Sequence, residues 1–560
     1  MLLDNLKEVS KKLFNDSPRP FIEHAIGEIQ SKWDSRNFFV IEAPTGYGKS
    51  TISATLALNS LQSGFKCIVA FPLRTLLEDQ FKKFERLFAG KPELVGKRYM
   101  HNPDSPYLIK PVTLTTVDTL ALNLFGIPPE TLEKVAEERS LGHYFFSWAS
   151  VLLSNLVMDE VHLLADSTKS LSFLAALVKI ARDFDQRAVF MSATMPEALK
   201  KRLEEFGKER MEFITFSEKH DPEFCSERLS KKYEIRVESS EGNKYGKIIS
   251  WLKNSEFRRG LIIFNTVSEA VEFYKKHLND LKEFSENTLL LHSRFTEKDR
   301  EKKIEEIGKM QKEKDFLIVS TQVIEAGVDI SSDLMITDIS PANSLIQRFG
   351  RFLRFEWERE GRIHIWYEEG QINSDYKVYD GELTTKTLKW IKSNPELNVH
   401  IPEGEKGFYR LVNSVYSIEH FEFDSKVIEG FERIFLNLET APKNALNLLF
   451  KMGGSFVREG LQIPVSFMKK DKIAASDISE FSRSFVVPIA FEIFLNMIPS
   501  VTGAVNEEMQ FIERERIEFL HHLKPETETL LELLKFMFRH KVIAFLLDAS
   551  YSTEFGLVVK

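Results

Sequence analysis

The residues best suited to chemistry lie in the segment from Phe38 to Thr51, which reads FFVIEAPTGYGKST. Apolar and β-branched residues give way at Pro44 to a glycine-containing turn, and a helix-prone segment follows, so the pattern predicts strand, loop and helix. Glycines at such a turn let backbone N–H groups approach an anion, a lysine supplies positive charge for the β- and γ-phosphates, and a serine hydroxyl can ligate Mg²⁺. The segment therefore predicts a P-loop for a nucleoside triphosphate, although Ala43 stands where the general pattern has glycine. The predicted cofactor-binding residues are Pro44, Thr45, Gly46, Tyr47, Gly48, Lys49, Ser50 and Thr51.

Two adjacent acids, Asp159 and Glu160, end the apolar run NLVMDE about a hundred residues after this loop. An acid at the tip of a strand beside a P-loop is placed to bind Mg²⁺ through water, and its neighbour can activate the water that attacks the γ-phosphate. We therefore predict that Asp159, with Ser50, serves the metal and that Glu160 is the base. Two solvated acids in a turn are the alternative, which the upstream loop disfavours.

The next apolar run is followed by hydroxyl groups, Ser192 and Thr194, in the sequence MSATMP. A simple turn closure would use the same residues. In this order along the chain, however, the hydroxyls favour a coupling role, in which they sense phosphate release and pass the signal to a second domain. His162, just after the two acids, is predicted to hydrogen-bond this segment rather than to bind a metal.

A glutamine and several arginines cluster in LIQRFGRFLR, residues 345–354. Guanidinium groups three residues apart lie on one helical face and can reach a triphosphate from a second domain. We predict Arg351 and Arg354 as arginine fingers, which are worth about 10³ to 10⁵ in rate, and Gln347 as a γ-phosphate sensor. A solvated basic helix is the alternative.

The elements that must position these residues form two series of apolar runs separated by helical patterns. Short buried runs that end in polar residues are typical of parallel sheets, whose ligands gather at the carboxyl ends of the strands. The fold class is therefore α/β, with two tandem parallel-sheet domains and a mainly helical C-terminal domain. The predicted domains are residues 1–217 with N-terminal helices, a connector over 218–242, a second sheet domain over 243–370, and an accessory domain over 371–560.

Composition limits the function classes further. The net charge of −8 argues against nucleic-acid binding through bulk charge, so any such binding must rest on a local groove. The two cysteines, Cys67 and Cys225, lie far apart without CxxC spacing, which indicates neither a disulfide framework nor a zinc site. The N-terminus lacks a signal-peptide core, and polar residues interrupt the longest apolar stretch. We therefore expect a cytoplasmic protein without a membrane partner.

The motifs resemble, in order, those of the superfamily 2 helicases. They read APTGYGKS, PLRTLLEDQ, TTVDTL, DEVH, SATMP, FNTVSEA, LHSRF, STQVIEAGVDI and LIQRFGRFLR. The motif sequences LHSRF, TQVIEAGVDI and IQRFGR resemble those of the CRISPR-associated helicase of type I interference systems. This resemblance covers residues 19–370 and implies RecA-like sheet domains, ATP and Mg²⁺ as cofactors, and single-stranded DNA as the track.

The resemblance also implies roles for individual residues. Asp329 stands where such helicases meet the ribose of ATP. Residues at the positions that touch the phosphate backbone of one strand are Arg74, Thr116, Thr266, Arg294 and Thr321. Short hydroxyls and arginines suit this task because they fix a backbone without reading bases.

The resemblance implies partners as well. The usual family member carries an N-terminal His-Asp nuclease, and only about 37 residues precede the P-loop strand here. We therefore expect a stand-alone helicase subunit, with a separate nuclease subunit and a crRNA-guided surveillance complex as partners. The expected function is 3′ to 5′ unwinding of target DNA.

Several alternatives stay open at this point. Another superfamily 2 helicase, acting on RNA or in DNA repair, would carry much the same motifs. An ATP-gated clamp that binds nucleic acid without separating strands is a rival of a different class. The adenine-recognition residue is also open, with Glu23 and Gln30 as candidates.

Overall fold

The structure is a computed structural model of the 560-residue chain. It describes residues 1–89, 91–99, 104–131, 134, 142–165, 167–240, 242–313, 315–372, 375–436, 441–458, 460–475, 477–523 and 527–558.

The first domain is built on a seven-stranded parallel sheet with strand order β3-β4-β2-β5-β6-β1-β7. Its strands are β1 Phe38–Glu42, β2 Lys66–Phe71, β3 Val95–Arg98, β4 Val112–Thr116, β5 Ser154–Met158, β6 Ala188–Ser192 and β7 Met211–Thr215. Its α-helices are Leu2–Phe14, Pro20–Lys32, Lys49–Gln62, Arg74–Leu87, Val117–Leu124, Tyr144–Leu152, Thr168–Asp183 and Glu197–Gly207. Because helices cover both faces, the central strands are buried throughout and read as continuous apolar runs.

The second domain is built on a six-stranded parallel sheet with strand order β10-β11-β9-β12-β13-β8. Its strands are β8 Lys232–Ser239, β9 Arg259–Ile263, β10 Thr288–Leu291, β11 Phe316–Ser320, β12 Leu334–Asp338 and β13 Glu360–Tyr367. Its α-helices are Lys244–Lys253, Val267–Phe284, Glu297–Glu313 and Ala342–Phe349.

The stretch predicted as a connector, residues 218–242, contains regular structure. It begins with a helix, Pro222–Leu229, which we call the connector helix, and continues into β8. Since β8 pairs with β13 along its whole length, it belongs to the second sheet, and the connector prediction is wrong for this part. The edge position explains the error, because alternating exposed and half-buried residues give β8 no apolar run.

The C-terminal region is mainly helical, as the sequence predicts, and also holds a sheet that the sequence analysis does not predict. Its α-helices are Gly381–Ser393, Phe408–Val415, Ser425–Leu436, Ala441–Lys451, Ile478–Phe485, Phe491–Met497 and Thr527–Arg539. A five-stranded mixed sheet has the order β17-β16-β20-β18-β19, with β16 Gln462–Ser466, β17 Val486–Ala490, β18 Val501–Asn506, β19 Phe511–Glu513 and β20 Val542–Leu547. Two short antiparallel pairs are β14 Asp375–Tyr376 with β15 Tyr379–Asp380, and β21 Ser550–Ser552 with β22 Gly556–Val558.

This C-terminal region contacts both sheet domains. On the first domain, Phe431 stacks on Phe125 with ring centroids 4.3 Å apart, and Arg458 Nε donates to Asp118 at 2.7 Å. On the second domain, the β21–β22 hairpin docks at the end of β10, where the Leu557 amide donates to the Arg294 carbonyl at 2.9 Å. Within the described residues, no helix is long and apolar enough to cross a membrane.

Candidate active site between the two sheets

The P-loop joins β1 to the helix Lys49–Gln62, as the sequence predicts. Gly46 and Gly48 have φ values of 78° and 103°, a left-handed region in which glycine is favoured. Lys49 is buried at the start of the helix, and its Nζ donates to the Ala43 carbonyl at 3.0 Å. The same nitrogen lies 3.9 Å from Glu160 Oε1. The loop therefore presents its lysine toward the predicted base.

Tyr47 contributes to this loop only through its backbone. Its side chain is fully buried among Phe21, Phe216 and Phe224, and its hydroxyl donates to Asp221 Oδ2 at 2.6 Å. The predicted cofactor-binding role is therefore limited to the main chain of Tyr47. The side chain instead links the loop to Asp221, the residue that precedes the connector helix.

The two acids follow β5 and are buried beside the P-loop. Burial and the charge of Glu160 raise the pKa of Asp159 to about 7. Burial also opposes ionisation of Glu160, but the positive charges of Lys49, Arg351 and Arg354 hold the pKa of that carboxyl below its ordinary value. Glu160 has a left-handed backbone with φ of 49°, a conformation that non-glycine residues adopt at a cost of about 1–3 kcal/mol. The site thus has a strained, ionised carboxylate next to a buried carboxyl.

A magnesium ion fits the oxygen donors at this place. Asp159 is buried, its Oδ1 accepts the Glu160 amide at 3.0 Å, and no described cation forms an ion pair with it. Ser50 supplies a hydroxyl at the first turn of the P-loop helix. Carboxylate, hydroxyl and water oxygens are the ligands that Mg²⁺ prefers.

The predicted coupling residues form one hydrogen-bonded group at the end of β6. His162 Nδ1 lies 3.1 Å from Ser192 Oγ and 3.4 Å from Glu160 Oε2. Ser192 Oγ donates to the Thr194 carbonyl at 2.7 Å, and the Thr194 hydroxyl is buried without a partner among the described residues. Burial lowers the pKa of His162 to about 4, so this imidazole is neutral at physiological pH. The group therefore connects the predicted base to the loop after β6.

Arginine from the second domain reaches the P-loop. A Cβ placed on Gly46 would lie 3.0 Å from Arg354 Nε, and one placed on Gly350 would lie 2.8 Å from Thr45 Cγ2. Arg354 Nη1 also lies 3.0 Å from Asp329 Oδ1, the residue expected at the ribose. The structure thus brings Arg354, Asp329 and the P-loop together.

Arg351 is held more firmly than Arg354. Its Nε and Nη2 donate to the carbonyls of Ile324 and Glu325 at 3.1 and 2.8 Å, and burial together with Arg354 lowers its pKa to about 9. Gln347 is buried, with Nε2 unpartnered among the described residues.

The prediction that the arginines share one helical face is wrong. The helix ends at Phe349, so Arg351 and Arg354 lie on the loop that follows, and Leu353 between them is left-handed with φ of 42°. Arg348, on the helix itself, is fully buried in an ion pair with Glu325. Residues 351–358 are called the finger loop below.

Arg19, which no motif predicts, lies beside the P-loop. The Arg19 guanidinium lies 5.1 Å from the centre of the Tyr47 ring and 3.5 Å from the Gly46 carbonyl. Of the two candidates for adenine recognition, Glu23 is exposed, and Gln30 accepts a hydrogen bond from the Leu3 amide at 3.3 Å. An arginine before the proline of RPFIEH was the available signal for Arg19.

The five residues expected to touch a nucleic-acid strand all lie at or just after the carboxyl ends of β-strands. Thr116 and Thr266 accept hydrogen bonds from the amides of Thr119 and Glu269 and so cap their helices, while Thr321 is buried before a short 3₁₀ helix. The hydroxyls of Thr116 and Thr266 therefore have local structural partners, whereas the Thr321 side chain does not cap the 3₁₀ helix that follows it.

The two arginines expected at the nucleic-acid strand have different surroundings. Arg74 of the first domain packs on the Tyr99 ring at 4.2 Å and forms an ion pair with Glu297 of the second domain. Burial lowers the pKa of Arg294, which forms no ion pair with a described residue. A Cβ at Gly327 of the second domain would collide with Thr75, which shows how closely the domains approach here.

Comparisons with known proteins agree with this geometry. A family model described as DEAD/DEAH box helicase matches residues 20–202, and one described as CRISPR-associated nuclease/helicase Cas3, C-terminal, matches residues 256–356. A putative CRISPR-associated nuclease/helicase Cas3 of Methanocaldococcus jannaschii is 28% identical over 430 residues, which cover 70% of this chain and 55% of that protein. A CRISPR-associated nuclease/helicase Cas3 of Methanothermobacter thermautotrophicus is 29% identical over 353 residues, 56% of this chain and 38% of that protein. The chain thus spans about half or less of the length of these relatives.

Solved structures share the fold. The crystal structure of T. fusca Cas3 matches with a TM-score of 0.66 and 16% identity over 98% of this chain and 70% of that chain. A chain of a CRISPR RNA-guided surveillance complex in a pre-nicking state matches with a TM-score of 0.59 and 17% identity, over 96% of this chain and 68% of that chain.

Proposed function

We propose that the chain is a helicase of the CRISPR-associated branch of superfamily 2, which hydrolyses ATP to move along and unwind DNA. The observation that carries the proposal is the approach of Arg354 to Gly46, because it sets a cation of the second domain against the phosphate-binding loop of the first. A triphosphate between them would contact both domains at once.

In the proposed reaction, the P-loop amides and Lys49 bind the β- and γ-phosphates. Ser50 and, through water, Asp159 would hold Mg²⁺, which when bound neutralises developing charge on the phosphates. Glu160 accepts a proton from the attacking water, and its ionised state suits this task. Arg351 and Arg354 stabilise charge on the transferred phosphoryl group, Gln347 senses the γ-phosphate, and Asp329 meets the ribose.

Hydrolysis would be coupled to movement through the contact between His162 and Ser192. Loss of the γ-phosphate changes the charge next to Glu160, and His162 and Ser192 carry the change to Thr194 at the end of the sheet. The two domains that move would be residues 1–217 and residues 232–370, the second of which includes β8. Residues 371–560 would be the accessory domain. The single-stranded DNA would lie across the carboxyl edges of both sheets, where it would contact Arg74, Thr116, Thr266, Arg294 and Thr321.

We also propose the direction and the partners. Movement would be 3′ to 5′ along single-stranded DNA of a target bound by a crRNA-guided surveillance complex, and a separate nuclease subunit would cut the unwound strand. The similarity in fold to a chain of such a complex supports the recruitment proposal. Co-migration of the purified chain with a strand-loaded surveillance complex on a sizing column, but not with the empty complex, is the expected result.

The central test uses one preparation of the protein for two measurements. It asks which nucleic acid stimulates ATP turnover and whether the protein separates the strands of a duplex. ATP turnover is measured with single-stranded DNA and with RNA of the same sequence, and unwinding is measured on duplexes with a 3′ or a 5′ tail. We expect stimulation by DNA and ATP-dependent unwinding from the 3′ tail only. Stimulation by RNA alone would favour an RNA helicase, and ATP-dependent binding without unwinding would favour a nucleic-acid clamp.

A further inference from the structure

We propose that the connector helix, Pro222–Leu229, is a strut that holds the finger loop in position relative to the P-loop. Tyr47, Arg228 and Lys231 are then positioning residues for ATP hydrolysis, although none of them touches the phosphates. The inference rests on the proposed function, because it assumes that Arg354 acts on the triphosphate.

The first end of the strut is fixed to the P-loop. Asp221, the residue before the helix, accepts the Phe224 amide through Oδ1 at 3.0 Å and the Tyr47 hydroxyl through Oδ2 at 2.6 Å. The same hydroxyl accepts the Phe21 amide at 3.2 Å, and burial raises the pKa of Tyr47, so this phenol stays protonated. One carboxylate therefore starts the helix and binds a side chain that lies between Gly46 and Gly48.

The second end is fixed to the finger loop. Lys231 Nζ donates to the carbonyls of Leu353 and Phe355, both at 2.7 Å, and of Glu358 at 3.2 Å. The Glu227 carboxylate lies 2.9 Å from the same nitrogen, so Lys231 is surrounded by four acceptors. The Lys231 side chain is 0% exposed, so no water competes for these hydrogen bonds. Arg228 Nη1 adds a further donor to the Leu353 carbonyl at 3.1 Å.

The residue held most tightly is the one before the arginine finger. Leu353 has a φ of 42°, a conformation that a leucine keeps only where its surroundings enforce it. Its carbonyl, which accepts from both cations, belongs to the same peptide unit as the Arg354 amide, and that amide donates to Ser331 Oγ at 2.8 Å. The orientation of Arg354 therefore depends on contacts from Lys231 and Arg228.

The helix between the two ends is short and packed. Eight residues rise about 12 Å, which is too short for appreciable bending. Phe224 lies between the Tyr47 ring at 5.0 Å and the Arg228 guanidinium at 5.0 Å, and Cys225 is buried. The helix thus transmits the position of the P-loop to the finger loop as one solid element.

The first test replaces Lys231 with methionine, which keeps an unbranched apolar stem and removes the ammonium. We expect DNA-stimulated kcat to fall about 10-fold to 100-fold, the loss typical of a catalytic group displaced by about 1 Å, while the KM for ATP changes by less than about threefold. Lys232→Met is the matched control, since the neighbouring lysine is 81% exposed and its ammonium lies 4.0 Å from Glu360, outside the finger loop. Wild-type kcat in the Lys231→Met protein would overturn the strut.

The second test uses Tyr47→Phe, which keeps the buried ring and removes only the hydroxyl. We expect this variant to fold as the wild type does and to lose about threefold or more in kcat. Distant, independent sites normally give effects that multiply within a factor of about two. A strut predicts instead that Tyr47→Phe with Lys231→Met loses no more than the worse single variant. If the Lys231→Met protein does not fold, Tyr47→Phe paired with Arg228→Met measures the same coupling.

Arg354→Ala separates failure of the strut from failure of the proposed function. If Arg354→Ala lowers kcat, Lys231→Met in that background should cost nothing further, and full multiplication of the two losses would refute the strut. If Arg354→Ala leaves kcat unchanged, the finger itself is wrong, and the strut falls with it.

Discussion

Replacing Arg354 with alanine tests the meeting of the two domains most directly. The guanidinium lies against Gly46, within reach of any phosphate held by the P-loop. Two unit charges about 4 Å apart at an effective dielectric constant near 20 interact by about 4 kcal/mol. Since about 1.36 kcal/mol corresponds to a tenfold change in rate, we expect a loss of roughly 10³-fold in kcat, at the low end of the range for arginine fingers.

Stability and ATP affinity should change little in the same variant. The partner of Arg354 is Asp329, which is 76% exposed and returns to water when the arginine is removed. Exposed ion pairs of this kind contribute at most about 1 kcal/mol, so the thermal midpoint should stay within a few degrees of the wild type. The interaction is made chiefly in the transition state, so the KM for ATP should change by only a few fold.

The assay is DNA-stimulated phosphate release measured over a range of ATP concentrations. Arg362→Ala is the control, because Arg362 is an exposed arginine of the same domain whose guanidinium donates to the Asn254 carbonyl. Turnover of the Arg354→Ala protein within about threefold of wild type would refute the assignment. So would an equal loss in the Arg362→Ala control.

The remaining predictions concern the P-loop, the base, the strand groove and the C-terminal region. Lys49→Ala should abolish turnover by removing phosphate binding, which an ATP titration followed by fluorescence would show as lost affinity. Glu160→Gln should bind ATP with wild-type affinity and turn it over at least about 10²-fold more slowly, and wild-type turnover would remove the base assignment. Glu297→Gln should free Arg74 for a phosphate, strengthen binding of single-stranded DNA and steepen its log–log salt dependence by about 0.7, whereas weaker binding would contradict this. Phe431→Ala should cost about 3–5 kcal/mol where the C-terminal region packs on the first domain, seen as an earlier first transition on thermal melting.

The P-loop and the two parallel sheets could be predicted because their sequence patterns are local. A strand buried on both faces, such as β1, is a continuous apolar run, and the glycines that follow it are required by their positive φ values. Edge strand β8 has no such run, because one of its sides faces solvent. In the C-terminal sheet, Pro464 and Pro488 stand opposite each other in paired strands, which weakens a strand prediction from sequence.

The functional residues divide in the same way. The order of Lys49 and Glu160 along the chain indicates their chemistry, because both end up at the same edge of one sheet. The finger loop is different. Its arginines lie beyond the end of their helix, and the Leu353 carbonyl between them accepts from Lys231, 122 positions earlier in the chain. A contact over such a separation leaves no periodic pattern to detect.

The two attachments of the C-terminal region limit how far the cleft can open. Arg458 is bound to Asp118 in one sheet domain, and the β21–β22 hairpin is bound to Arg294 in the other. A wide swing of the domains would have to break one of these attachments or bend the tether between them. While both hold, the proposed ATP cycle would be confined to a small domain movement, and a nucleic-acid strand between the domains would stay enclosed by protein.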